Sequence, residues 1–165
     1  MWWRLPRSEF DRAKGEGNRR AMQRIVKGGE SPGILAYAGG APVGWCAVAP
    51  RERFTGLARS RILAPVDDEP VWSIVCFFVA NPWRGKAVAT GLIRAAVDHA
   101  RKRGARVVEG YPIDPRKGRM ADVFAFTGLA SAFEKAGFRE VARRSETRPI
   151  MRIETGRRGR RSGSA

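Results

Sequence analysis

A basic, glycine-containing turn between an apolar strand and a helix carries the clearest chemistry in the sequence. The apolar run Val71–Val79 ends before Asn81-Pro82, and residues 84–90 (RGKAVAT) are small apart from Arg84 and Lys86. The first N–H groups of a helix have no partner within it, and the helix dipole places about half a positive charge there. Small side chains let those N–H groups approach phosphate oxygens closely. The turn therefore predicts a diphosphate-binding site; the alternative is an ordinary strand-to-helix turn with incidental basic residues.

Two side chains on one predicted strand are candidates for moving protons. Glu109 and Tyr111 share a face of the predicted strand Arg106–Tyr111, because side chains alternate along a strand. Val107 lies on the same face and would partly desolvate the carboxylate, which favours Glu109 as a general base, directly or through water. Tyr111 is the candidate general acid. For each residue the alternative is structural: Glu109 would pair with an arginine, and Tyr111 would pack with its hydroxyl hydrogen-bonded.

Other side chains that could react have simpler explanations. Ser73 lies within the apolar strand and could orient water or substrate, and the acidic residues 67–69 could attract a cationic amine. His99 is the only histidine and lies two turns or more into a predicted helix, so Cys76 lacks a second histidine that could act as its base. Two cysteines build neither a disulfide framework nor a four-ligand zinc site, and no metal is expected.

The order of the predicted elements gives the fold class. Hydrophobic periodicity and glycine or proline punctuation predict strand 2–5, helices 8–14 and 19–27, a hairpin of strands 34–38 and 42–48, strand 71–79, a helix from the 84–90 turn to 103, strand 106–111, helix 121–136 and closing strands 138–143 and 148–153. One β–α–β unit inside a mostly antiparallel arrangement predicts a mixed α/β (α+β) domain. We expect a single central sheet of about six or seven strands with helices on both faces. The domain would span residues 1–154, followed by a basic, disordered tail over 155–165.

Composition and charge narrow the class of protein. The chain has 165 residues, 43% of them hydrophobic, which suits one domain with a packed core. Its longest apolar run is far short of the ~20 residues that span a bilayer, and its N-terminus lacks the apolar segment of a secretory signal, so we expect a cytoplasmic protein without a membrane partner. The net charge of +16 is spread along the chain, apart from four arginines in the tail. Charge spread in this way is typical of an ordinary solvated surface, so nucleic-acid binding is not the expected function and stays only as the alternative.

Two stretches of the sequence resemble one enzyme family. Residues 79–89 (VANPWRGKAVA) are similar to the acetyl-CoA loop of the GNAT N-acetyltransferases, whose pattern is V-x-P-x-x-R/Q-x-x-G-x-G/A. Residues 132–138 (AFEKAGF) resemble the L-Y-E-K-x-G-F stretch that precedes the last two strands of that family. The order of elements agrees as well, so the resemblance covers roughly residues 2–154. It implies a GNAT-like fold and the direct transfer of an acetyl or related acyl group from acetyl-CoA to an amine in a ternary complex.

The resemblance also implies roles for individual residues. Main-chain groups of Phe77, Phe78 and Val79 would pair with the pantetheine arm, and Phe133 would lie beside the thioester sulfur. A strand N–H would stabilise the oxyanion, and an acid would protonate the departing thiolate. The main-chain N–H groups that would hold the pyrophosphate are those of Arg84, Gly85, Lys86, Ala87, Val88, Ala89 and Thr90.

Three residues depart from the family pattern. Ala87 replaces the usual glycine, so its Cβ would crowd the phosphates or strain a positive φ. Phe133 replaces a tyrosine that often acts as general acid, and Phe126 stands where the family often has asparagine. We therefore expect an N-acetyltransferase whose acid is another residue or water. The alternative is a basic nucleic-acid-binding or partner-binding module on a degenerate GNAT fold without catalysis; the amine acceptor and the formation of a homodimer stay open.

Overall fold

One six-stranded sheet organises the part of the chain that the computed structural model describes, residues 1–115 and 126–156. The strands lie in the order β1-β2-β3-β4-β6-β5, and only β3 and β4 run parallel. The mixed, mostly antiparallel sheet of the sequence prediction is thus confirmed. Along the chain, the elements are α1 (Arg7–Arg12), α2 (Glu16–Lys27), β1 (Gly33–Ala38), β2 (Ala41–Pro50), α3 (Thr55–Ala58), β3 (Val71–Val79), α4 (Val88–Lys102), β4 (Val107–Gly110), α5 (Ala130–Lys135), β5 (Arg139–Arg143) and β6 (Pro149–Glu154).

The two faces of the sheet carry separate apolar clusters. On one face, α4 packs Leu92 and Ile93 against Ile74 of β3, and Phe133 of α5 completes this cluster. On the opposite face, residues between β2 and β3 supply Phe54 and Leu57, the latter from α3, to a second cluster that includes Val75 and Tyr111. Helical segments therefore cover both faces, and the two clusters share no buried residue.

The parallel pair β3–β4 separates part-way along the sheet. Its register runs from Val71 opposite Val107 to Ile74 opposite Gly110, and there the pairing ends. Strand β3 continues to Val79, still paired with β2 on its other side. Past the end of β4, Ile113 bridges Leu129 instead. The sheet therefore opens into a split beside the second half of β3.

Phe133 and Gly110 fit together at the base of this split. A Cβ placed on Gly110 would lie 2.0 Å from Cε1 of Phe133, which leaves room for no side chain larger than hydrogen. The Phe133 ring meets the edges of Phe77 and Phe138, with centroid distances of 5.9 and 5.0 Å. Edge-to-face pairs of this kind are a preferred aromatic geometry. The ring thus ties α5 to both β3 and β4 at the point where the strands diverge.

Three local predictions near the N-terminus were wrong. Residues 2–5 form turns instead of a strand, because the N–H groups of Arg4 and Leu5 donate to the main-chain oxygen of Met1 (2.9 and 3.1 Å). The Trp2 ring packs edge-on against Phe10, with 5.3 Å between the ring centroids. Helix α1 begins at Arg7, before the expected cap Ser8. Helix α2 begins at Glu16 and not after Asn18, whose side-chain amide instead donates to the main-chain oxygen of Phe10 (3.0 Å). Local turns and the Asn18 contact with Phe10 thus stand where a strand and a helix cap were expected.

The predictions for the rest of the chain agree better with the structure. The β1–β2 hairpin, β3, α4, β4, β5 and β6 match their predicted elements within two residues at most ends. The predicted helix 121–136 is shorter in the structure: residues 121–125 lie outside the described residues, and α5 covers only Ala130–Lys135. Residues 157–165 of the predicted tail also lie outside them. No helix among the described residues has both the length and the apolar character to cross a bilayer.

Candidate active site

A cleft of about 570 Å³ occupies the split between β3 and the segment that follows residue 125. One wall is the second half of β3, another is the beginning of α4, and the third is the segment that leads into α5. Its lining residues are Phe77, Phe78, Val79, Trp83, Arg84, Gly85, Ala87, Val88, Ala89, Thr90, Phe126, Gly128, Leu129, Ser131, Ala132 and Lys135. Among these described residues no carboxylate lines the cleft, and two cationic side chains do.

The beginning of α4 opens onto the cleft with unusual backbone geometry. Ala87 is the N-cap of the helix and adopts the left-handed conformation (φ 58°, ψ 12°). It is the only residue other than glycine with a positive φ among the described residues. An L-residue pays roughly 1–2 kcal/mol for this conformation. Because Gly85 also has a positive φ (73°), the chain turns tightly before the helix and presents its first N–H groups to the cleft.

Strand β3 presents main-chain groups along the other wall. The N–H of Ala80 donates to the main-chain oxygen of Val43 on β2 (2.9 Å). Main-chain groups alternate between the two edges of a strand, so Phe78 directs its groups to β2, whereas Phe77 and Val79 direct theirs to the split. The carbonyl of Val79 accepts a hydrogen bond from Nε of Arg84 (3.1 Å), which is consistent with this direction. An extended ligand in the cleft could therefore pair with β3 as an added strand does.

The structure brings together most of the predicted cofactor residues. Two of them do not line the cleft. The Lys86 ammonium lies over the Trp83 ring, 5.1 Å from its centroid, and the Phe133 ring is fully buried beneath the cleft, in contact with Phe77. The predicted residues that do line it are Phe77, Phe78, Val79, Arg84, Gly85, Ala87, Val88, Ala89 and Thr90.

Sequence reasoning missed part of the lining. Trp83 lies inside the loop motif of residues 79–89 and also lines the cleft, a role that the motif itself does not predict. Ser131 and Lys135 are four residues apart on α5, so they share a face of that helix, and both line the cleft. Their spacing was the available signal, but nothing local shows that this face meets a loop 45 residues earlier. Phe126, which stands where the resembled family often has asparagine, lines the cleft as well.

Glu109 lies on the other face of the sheet, in a buried polar network. Its side chain is 1% exposed, and both of its carboxylate oxygens are bound. Nε of Arg152 lies 2.6 Å from Oε1, and Nη1 of Arg51 lies 3.3 Å from Oε2. Two arginines therefore pair with Glu109, as the structural alternative in the sequence analysis expects. Without such partners, burying a carboxylate at this depth would be very unfavourable.

Tyr111 completes this network through its hydroxyl. It donates to Oε2 of Glu109 (2.6 Å), and it lies 2.5 Å from Nη1 of Arg51 and 2.8 Å from Oγ of Ser73. Burial first, and then the negative charge of Glu109, raises the pKa of Tyr111 above its usual range. A phenol with a raised pKa keeps its proton at neutral pH. It is therefore a poor proton donor to a thiolate, because the corresponding thiol has an ordinary pKa of about 8.5.

The acidic residues 67–69 belong partly to the same network. Asp67 accepts two hydrogen bonds from Arg152, at 2.5 and 2.8 Å, and these bonds lower the pKa of Asp67. Glu69 pairs with Arg106 at 3.0 Å. Two of the three carboxylates that could have attracted a cationic amine are thus already paired with arginines.

The histidine and the cysteines lie apart from the cleft lining. Nδ1 of His99 lies 3.0 Å from Nη1 of Arg103 near the end of α4, and burial followed by nearby cations lowers the pKa of His99. Burial raises the pKa of both Cys46 and Cys76, which makes them poor nucleophiles at neutral pH. Within residues 1–115 and 126–156, no group of three or more His, Cys, Asp or Glu side chains could hold a metal ion.

The model of the acetyltransferase (GNAT) family matches residues 1–114, more than half of the chain. The chain therefore belongs to the GNAT acetyltransferase family. The match confirms the family resemblance and contains the first of the two sequence motifs, whereas the second, at residues 132–138, lies outside the matched residues.

Solved structures share this fold at low sequence identity. The yncA protein from Salmonella typhimurium, solved with its cofactor acetyl-CoA, has a TM-score of 0.57 and 14% identity, covering 90% of this chain and 79% of its own. PaiA N-acetyltransferase from Thermoplasma acidophilum, solved with coenzyme A, has a TM-score of 0.53 and 13% identity, covering 88% and 74%. Ribosomal-protein-alanine N-acetyltransferase from Brucella melitensis has a TM-score of 0.52 and 15% identity, covering 84% and 77%. No curated protein sequence compared with the chain matched it.

Proposed function

We propose that this chain transfers an acetyl group, or a related acyl group, from acetyl-CoA to an amine acceptor by direct attack in a ternary complex. The observation that carries the proposal is the cleft between β3 and α4. It combines the N–H groups at the start of a 15-residue helix, a left-handed turn at Ala87 and the edge of β3 at Phe77 and Val79 that faces the split. We also propose that one domain, ending near Glu154, carries the activity and works in the cytoplasm.

The residues of the cleft fit this cofactor. The helix start offers N–H donors and a partial positive charge to a diphosphate. The β3 edge offers main-chain groups to the amides of a pantetheine arm, and the lining is otherwise largely apolar. The cofactor would supply a thioester, which activates the acyl group toward an amine. Arg84 and Lys135, both in the lining, add two positive charges where the cofactor is anionic.

The chain's own residues would orient the reactants and handle the protons. Main-chain N–H groups of Phe77 and Val79 that face the split can donate to an acyl oxygen. Phe133 has no hydroxyl and lies buried, so it can only pack beneath the cleft. Glu109 as base and Tyr111 as acid stay predictions from the sequence. The buried network around both side chains supports the structural alternative for each, and it favours water as the direct proton carrier.

Two measurements test the proposed function. Calorimetric titration with acetyl-CoA should show one binding site, and saturating acetyl-CoA should raise the melting temperature by mass action. An array of amines (amino acids, polyamines, aminoglycosides and peptides with free N-termini or lysines) should then identify acceptors through release of free CoA. Absence of any binding at millimolar acetyl-CoA would overturn the proposal; binding without release by any amine would favour the non-catalytic alternative.

A further inference from the structure

Three large apolar side chains form a row across the face of the sheet that lies opposite α4. Leu35 of β1 is paired in register with Trp45 of β2, and Trp45 is paired with Phe78 of β3. Their strand neighbours Cys46 and Phe77 belong to the cluster beneath α4, so the row points away from that helix. Leu35 is 51% exposed and Phe78 is 59% exposed, whereas Trp45 is half-buried. The apolar row is therefore an uncovered surface about 10 Å long, since neighbouring strands lie about 4.8 Å apart.

The apolar row ends at the cleft of the proposed active site. Phe78 belongs both to the row and to the cleft lining. The start of α4 would hold the cofactor from one face of the sheet, and the split lets a second reactant reach the acyl group from the other face. An amine that approaches from this open face would meet Phe78 first, with Trp45 and Leu35 beyond it. The carbon skeleton of the amine would then lie along the row.

The carboxylates that flank the row and the split in the described part of the chain are already paired with arginines. Glu30, three residues before β1, pairs with Arg4 (3.4 Å) and Arg53 (3.9 Å). Asp114, beside the split, lies 2.9 Å from Arg143. The cations of the cleft lining and the net charge of +16 repel a polycation. Positive surroundings also lower the pKa of a bound ammonium group, which favours the neutral amine that attacks a thioester.

We propose that the acceptor is an apolar primary amine with a single amino group, an alkylamine or arylalkylamine, whose carbon skeleton binds along the apolar row; this inference rests on the proposed function. The row is long enough for the chain of hexylamine. In the transfer, the nitrogen lone pair forms the bond to the acyl carbon and the carbon–sulfur bond breaks. The proton that the nitrogen loses passes through water to the departing thiolate.

Release of CoA from acetyl-CoA with hexylamine and with hexamethylenediamine tests the inference, because the diamine has the same length and adds only a second amino group. The wild type should show a kcat/KM at least about tenfold higher for hexylamine. Phe78→Ala should lower this value at least about tenfold, mainly through KM, and should change kcat/KM for ethylamine by less than about threefold. Val141→Ala, which trims an exposed side chain on β5 at the opposite edge of the sheet, is the control and should preserve both values.

Leu35→Glu tests the role of charge at the outer end of the row. Leu35 is exposed on an edge strand, so the variant should fold, and its carboxylate would pair with the second ammonium group of the diamine. The preference for hexylamine should therefore fall about fivefold or more. If the row instead covered a second copy of the chain, this substitution would halve the mass measured by light scattering and leave the amine preference unchanged. That result would overturn the inference.

The remaining outcomes separate the acceptor class from the function beneath it. A higher kcat/KM for the diamine, or for a polyamine or aminoglycoside, would overturn the apolar acceptor and leave acetyl transfer standing. Calorimetric titration of hexylamine into the CoA-saturated protein does not depend on turnover: binding that is weakened by Phe78→Ala is expected, and equal affinity in the variant would contradict the row. Failure of acetyl-CoA itself to bind would overturn the inference together with the proposed function.

Discussion

Nε of Arg152 lies 2.6 Å from Oε1 of Glu109, so a guanidinium on β6 binds a fully buried carboxylate on the neighbouring strand β4. The other carboxylate oxygen lies 3.3 Å from Arg51, which directly follows β2. Glu109 therefore joins strands β4 and β6 and the segment that follows β2 through one charged group. Removing a single member of a buried ion pair leaves an uncompensated charge in a place that water reaches poorly.

Glu109→Gln should lower the free energy of unfolding by about 3 kcal/mol, because two arginines lose their common counter-charge. Urea denaturation followed by circular dichroism measures this loss. Glu69→Gln, which breaks the more exposed pair with Arg106, is the control and should change stability by no more than about 0.5 kcal/mol. A stable Glu109→Gln variant with a strongly reduced kcat would contradict the structural role and support Glu109 as the base.

Tyr111→Phe should lower the stability of the fold and leave the rate of catalysis nearly unchanged. The variant loses the hydroxyl that links Ser73, Arg51 and Glu109, and we expect the free energy of unfolding to fall by about 1–2 kcal/mol. The raised pKa of Tyr111 makes its hydroxyl a poor source of a transferred proton. The kcat of the variant with an identified amine acceptor should therefore stay within about threefold of the wild-type value. A loss of kcat by two orders of magnitude in a folded variant would instead identify Tyr111 as the acid.

Ala87→Gly should stabilise the chain although it removes a methyl group. Glycine adopts φ 58° without the clash of a Cβ, and after its larger entropic cost the net gain should be about 0.5–1 kcal/mol. Ala89→Gly, in the first turn of α4, is the matched control and should destabilise by about 0.5–1 kcal/mol. Equal effects of the two substitutions, measured by chemical denaturation, would show that Ala87 is not strained.

Gly110→Ala should be among the most disruptive small substitutions in the chain. Its Cβ would lie 2.0 Å from the Phe133 ring, so either the ring or β4 must move, at a cost of about 3 kcal/mol or more. Gly91→Ala is the control, since a Cβ there meets nothing within 4 Å, and it should stabilise α4 by roughly 0.5–1 kcal/mol. Similar melting temperatures for both variants would argue against the close contact of Gly110 with Phe133.

Ala89→Asp should weaken binding of acetyl-CoA without unfolding α4. An acidic residue in the first turn suits the helix dipole, yet its carboxylate would stand in the cleft lining opposite the phosphates. We expect a loss of at least about tenfold in affinity by calorimetry. Ala89→Asn has nearly the same shape without the charge and should bind within about threefold of wild type. Unchanged affinity of the Asp variant would move the phosphate site away from α4.

The sequence alone predicted those parts of the fold and site that depend on neighbouring residues. Glycines 39 and 40 impose positive φ on a turn, which determines the β1–β2 hairpin. The apolar run over 71–79 and the helix pattern after residue 87 are equally local. The start of α4 could be predicted as a phosphate site for the same reason, because its N–H groups and its small side chains come from one continuous stretch.

Tertiary structure decided what depends on residues far apart in the chain. Glu109 meets Arg51 and Arg152, which are 58 and 43 residues away, and the sequence with its 26 arginines could not say which of them would pair with it. Lys135 reaches the cleft only because α5 packs beside α4. Gly110 must be glycine because Phe133 occupies the space of its side chain. These contacts depend on how distant strands pair and how distant helices pack. A local sequence pattern contains no information about either.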